Sequence, residues 1–145
     1  MWVSRTAKYA TAIVVAHLLV NIAHGLAHLE LHVGLDSLAS IFVIAVVLVC
    51  PLLAMALVWT AKKRLGLVLL SLSMFGSFIF GLYHHFLAAS PDQARLQPAS
   101  PWGIAFVLTA YGLLIAEAIG AYVGVRFLWI ARGDFAQRQN LKAAT

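Results

Sequence analysis

Residues 41–59 read IFVIAVVLVCPLLAMALVW, an apolar run without a single charge or amide. At 1.5 Å per residue a helix over this run is about 28 Å long, close to the hydrocarbon thickness of a bilayer. The run therefore predicts a membrane span. The rest of the chain has the same character, with 63% hydrophobic residues, 10% charged residues and a mean hydropathy of +0.93. Ordinary soluble domains are far more polar.

Working outward, the pattern predicts three more spans, giving 7–33, 36–60, 65–89 and 102–130 as approximate bounds within one domain over residues 1–145. Gly34 reads as a helix stop and Asp36 or Ser37 as the next N-cap. Lys62, Lys63 and Arg64 form a very short turn between the second and third spans. The one real loop, SPDQARLQPASP, carries Pro91, Pro98 and Pro101. Pro51 in mid-span predicts a kink that frees the carbonyl of Val47. The expected fold is an all-α membrane protein, a four-transmembrane-helix bundle without a separate soluble domain. The polar stretch after Ile130 reads as an extension of the last helix. The bilayer is its expected partner, and a homo-oligomer is compatible with the sequence.

The formal charge of +5 does not point to nucleic acid, because the basic residues flank apolar spans and form no helical stripe of their own. They read as topology signals. Arg5, Lys8, the Lys62–Arg64 turn, Arg126, Arg132, Arg138 and Lys142 fall on one side, and Arg95 alone falls on the other. The positive-inside rule then predicts an inner (plasma) membrane protein with both termini cytoplasmic. Trp2, Trp59 and Trp129 fit an inner aromatic belt, and Tyr83 and Trp102 an outer one. Arg5 and Lys8 ahead of an apolar run have the form of a secretory leader, but no A-x-A site follows. The single Cys50 excludes an intrachain disulfide, and no CxxC motif appears.

Against this apolar background, residues 16–32 read AHLLVNIAHGLAHLELH. On a helix, His17, Asn21, His24 and His28 fall within an arc of about 60°, with His32 at its edge. A stripe so narrow has to face the bundle interior, where partners can satisfy it. On the third span, Ser73, Ser77 and Gly81 follow small-xxx-small spacing and His84 lies about 20° from Ser73, with His85 pointing away. On the fourth, Glu117 is the only acid well inside a span, about 22 Å below its outer end and level with His17 and Asn21. Two groups result, an outer one of His24, His28 and His84 with His32 and His85 nearby, and a deeper one of His17, Asn21 and Glu117.

Neutral imidazole is the form that binds metals, and histidines at i and i+4 can share one ion. The outer group therefore reads as a site for a transition metal, copper, zinc or iron, with His24, His28 and His84 as ligands and His32 and His85 as supplementary ones. The alternative cofactor is a b-type haem between His28 and His84, with Gly25 and Gly81 making room for it. A redox function would call for a quinone, a lipid or a membrane redox protein as partner. His17, Asn21 and Glu117 read as a proton relay, since an ionised carboxylate at that depth has to be protonated or paired. Two other readings use the same residues: a proton-coupled or metal transporter, and a structural subunit whose buried polar groups only hold helices together. A ferritin-like di-iron bundle is excluded, because it needs about four carboxylates. HExxH, P-loop and G-x-S-x-G motifs are absent.

Overall fold

The computed structural model describes the backbone of residues 2–143 and the side chains of residues 5–130. Trp2, Arg132, Arg138 and Lys142, invoked above for topology, have side chains outside the described residues. The described chain is all helical. Helix α1 covers Trp2–Glu30, α2 Ser37–Val58, α3 Lys63–Leu87 and α4 Pro101–Ala143. Four segments, Arg5–Glu30, Ser37–Val58, Lys63–Leu87 and Pro101–Ile130, are long and apolar enough to cross a membrane. The shortest has 22 residues, about 33 Å of helix.

Successive helices pack side by side, and α4 closes the ring by packing on α1 as well as α3. The interior stripes follow alternating steps of three and four residues. On α1, Ala7, Ala10, Val14, His17 and His24 are buried, and on α4 Phe106, Ala110, Leu113 and Glu117. Large apolar side chains such as Leu19, Leu38, Leu72 and Ile115 point outward. An apolar exterior around an interior that holds the polar groups is what a lipid solvent demands.

The half of the bundle at the Lys62–Arg64 turn is tightly closed. Its core is Ala7, Ala10, Val14, Ala54, Val58, Leu67, Leu70 and Met74. Helices approach there through small residues: a Cβ on Gly66 would lie 2.8 Å from Val58 N and 2.9 Å from Ala54 O, and Gly124 sits against Ser71. Trp59 Nε1 donates to Thr11 Oγ1 at 3.0 Å, tying α2 to α1 at this end.

Two helix ends depart from the sequence reading. The first span stops at Glu30 rather than Val33, and the residue in the left-handed region is His32, φ 55°, not Gly34. Val33 N donates to His28 O at 3.1 Å and His32 N to Leu29 O at 3.2 Å. This crossed pair closes the helix in a Schellman motif, for which histidine is one of the side chains that tolerate positive φ. The next helix is capped by Asp36, whose carboxylate accepts from Ala39 N at 2.8 Å.

In α2 the disturbance attributed to Pro51 is spread over Val43–Val49, a stretch of wide i→i+5 turns that ends with Cys50 N donating to Ala45 O. Proline supplies no N–H, and widening upstream lets the neighbouring amides find other carbonyls. The second half of α2, Cys50–Val58, packs on both α1 and α3, while Val43–Val49 makes its contacts with α3. A wedge is left between the first half of α2 and α1.

Candidate metal centre

The end of the bundle away from the Lys62–Arg64 turn gathers three imidazoles. His24 and His28 come from α1 at i and i+4. His85 comes from the last turn of α3, Tyr83–Leu87, which is another i→i+5 turn with Ala88 N donating to Tyr83 O at 2.7 Å. His24 Nε2 lies 3.2 Å from His85 Nε2 and 3.2 Å from His28 Nε2. All three ligand atoms fall within 4.8 Å of one another, so the group could hold a metal ion. In a tetrahedral centre with bonds of 2.0–2.1 Å, nitrogen ligands sit about 3.3 Å apart. Two of the three separations already have this value.

The other ring nitrogens fix the tautomers. His28 Nδ1 lies 2.9 Å from Val33 O, and His85 Nδ1 lies 3.2 Å from Asp92 O. A carbonyl only accepts, so both Nδ1 atoms carry the hydrogen. His24 Nδ1 lies 2.8 Å from Thr109 Oγ1, whose own hydrogen is committed to Ala105 O at 2.6 Å. Thr109 therefore accepts from His24. In the neutral rings all three Nε2 atoms carry lone pairs, with His24 Nε2 3.2 Å from each of the other two and Asp92 Oδ1 3.2 Å from His28 Nε2. Without a cation among them this arrangement is repulsive.

Asp92 adds negative charge at the same place. Its Oδ1 lies 3.2 Å from His28 Nε2 and 3.3 Å from His85 Nδ1, and the residue is 4% exposed. The loop that carries it is folded inward by side-chain bonds to backbone: Gln93 Nε2 donates to Phe86 O, and Gln97 Nε2 to Pro91 O and Gln93 O. Phe106 of α4, fully buried, packs against all three imidazoles with ring centroids 4.7, 4.8 and 5.4 Å from His24, His28 and His85. It holds the rings in place from below while the Nδ1 acceptors hold their edges.

The remaining sequence candidates are distributed as follows. His84 is not in the group; it lies against Phe80, centroids 4.2 Å apart, and Tyr83. The ruler of about 100° per residue put His84 on the inner face, but a widened turn takes in one extra residue and brings His85 to that face instead. His32 is exposed and serves as the left-handed residue of the α1 stop. His17, Asn21 and Glu117 do meet, deeper in the bundle. His17 Nε2 lies 3.3 Å from Glu117 Oε1 and 3.0 Å from Asn21 Nδ2, which also donates to His17 O at 3.0 Å.

Asp92, Phe106 and Thr109 were not in the sequence-based set. Stepping back from Glu117 by four, three and four residues lands on Leu113, Ala110 and Phe106, so the inner face of α4 was readable; nothing in the sequence marks the inward fold of the Asp92 loop. Compared with protein-family models, curated proteins and solved structures, the chain gives no match.

Proposed function

We propose that this chain is an integral membrane metalloprotein in which His24, His28 and His85 hold one transition-metal ion through Nε2, with Asp92 bearing on two of the rings. The observation that carries this reading is the convergence of three Nε2 lone pairs whose Nδ1 hydrogens are all committed elsewhere. Imidazole nitrogen beside a carboxylate suits zinc, copper or iron. Three protein ligands next to a cavity leave a coordination position open, the pattern of centres that act on a substrate rather than only brace a fold. A metal-dependent enzyme, of the oxidoreductase class where the ion is copper or iron, is the function that this pattern supports best. A haem between His28 and His84 finds less support, since His84 lies against Phe80 and Tyr83 and outside the imidazole group.

Elemental analysis of gently purified protein, with a visible spectrum of the same sample, tests the reading. We expect close to one ion per chain and no Soret band. A Soret band would replace the bare ion by haem, and a sample that neither contains an ion nor takes one up on reconstitution would overturn the proposal.

We further infer from the positive-inside rule that both termini and the Lys62–Arg64 turn face the cytoplasm, which would put the metal centre in the opposite half of the membrane. The outward-facing Trp59 and Trp129 toward one end and Tyr83 and Trp102 toward the other support two interfacial belts. Reporter fusions in the Lys62–Arg64 turn and in the loop around residue 95 should report opposite compartments; the same compartment for both rules this topology out.

A further inference from the structure

The wedge between α1 and the first half of α2 is a cavity of about 450 Å³. Its walls are mostly aliphatic, with Leu18, Ile22, Val43, Val47, Leu113 and Leu114 among them. One end is the trihistidine group. The other end is built differently: Ser77 and Glu117 line it, 1% and 2% exposed, and neither Ser77 Oγ nor Glu117 Oε2 has a hydrogen-bond partner among the described residues. Buried polar atoms are nearly always paired, so these two orphans, at the far end from the unbonded carboxylate oxygens of Asp92, mark a place where something else supplies the bonds. A serine inside a helix usually bonds back to the preceding turn, as Ser71 does to Leu67 O at 2.8 Å. Ser77 makes no such bond.

The two ends adjoin at Gly81. A Cβ there would lie 3.6 Å from Leu114 Cδ2, 3.8 Å from Glu117 Oε2 and 3.9 Å from His85 Cδ2, so the carboxyl and the imidazole both border the same small space. Gly25 of α1 also lines the cavity, and a Cβ there would meet nothing within 4 Å. Gly25 is exposed, so it marks the open rim of the cavity, through which a flat ring can enter. A hydroxyl is the head that answers both orphans, because it can donate to Glu117 Oε2 and accept from Ser77 at once. The aliphatic walls suit a hydrocarbon tail.

We propose that this cavity binds a lipid-soluble phenol or hydroquinone, entering from the bilayer beside Gly25, with its hydroxyl held by Ser77 and Glu117 and its ring lying toward the trihistidine group. This deepens the metalloprotein reading by naming a substrate class, but the cavity and its orphaned atoms do not depend on a bound ion.

The test is equilibrium binding of radiolabelled decylhydroquinone to the full chain in nanodiscs, corrected with empty nanodiscs, beside decylbenzene, which keeps ring and tail and lacks the hydroxyls. Zinc-loaded and metal-free protein are compared, since zinc has no redox chemistry of its own. We expect saturable binding of decylhydroquinone only, about tenfold weaker in Ser77→Ala, as the loss of one buried hydrogen bond implies. Gly25→Leu should abolish binding with metal content unchanged, its side chain entering open space at a helical position that favours leucine over glycine. Equal binding of decylbenzene, no saturable binding, or an unaltered affinity in both variants would overturn the proposal. Metal content read on the same samples separates its failure from failure of the metal centre: binding that persists in protein unable to hold zinc, copper or iron sinks the metal reading alone.

Discussion

His85→Ala should leave the purified protein without its ion, while His84→Ala, one residue away, should retain it in full. The two side chains are adjacent in sequence and differently placed: His85 Nε2 is 3.2 Å from His24 Nε2, whereas His84 lies tilted against Phe80. Removing one of three protein ligands opens the centre to solvent and leaves two nitrogens, His24 and His28, from a single helix. The loss in affinity should exceed the 10–100-fold typical of removing an outer partner of a ligand. That smaller loss is what Thr109→Val should show, since it acts on the far side of a ring; Asp92→Asn, which removes a charge 3.2 Å from the ligating His28 Nε2, should fall between the two. Competition against a chelating dye measures all four variants. An ion retained by His85→Ala at wild-type affinity, or lost from His84→Ala, would assign the wrong histidine.

At the other end of the bundle, Gly66→Val should be among the most destabilising single changes available. The added side chain would meet backbone, Val58 N at 2.8 Å and Ala54 O at 2.9 Å, so neither partner can rotate away and α2 and α3 have to separate. Overpacking of this kind costs about 3 kcal/mol or more. A thermal melt in detergent should show a large fall in Tm, or no folded protein at all, and a Gly66→Val protein that melts like wild type would refute the close approach. Gly25→Ala is the matched control, with open space around the new methyl and a gain in helix propensity of up to about 1 kcal/mol.

These variants also show where the sequence could be read and where it could not. The four apolar helices and the deeper group of His17, Asn21 and Glu117 were legible because both depend on regular periodicity: apolar runs of membrane length, and polar residues at steps of three and four on a straight helix. The pairing of His24 with His28 was legible for the same reason. His85 was not, because the wide turn at Tyr83–Leu87 breaks the ruler that favoured His84, and such turns carry no residue signature comparable to proline or glycine. The end of α1 was misplaced for a related cause, since glycine is the usual left-handed residue and here His32 takes that conformation two residues earlier. Asp92 sits on a loop rich in proline, where exposure is the ordinary expectation. Its burial rests on the bonds of Gln93 and Gln97 to backbone carbonyls, long-side-chain geometry that no spacing rule anticipates.

The way the ligands are distributed along the chain bears on biosynthesis. His24 and His28 leave the ribosome with the first helix, but His85 and Asp92 follow only at the end of the third, and Thr109 and Phe106 with the fourth. In the proposed membrane topology α1 would enter lipid with its imidazoles and Asn21 still unanswered, and it is the least hydrophobic of the four candidate spans, with a hydropathy of 1.7 against 3.1 for α2. The proposed centre would be complete only once all four helices are made and the α3–α4 loop has folded back. A chain truncated before α4 would carry every histidine and still lack the arrangement that brings them together.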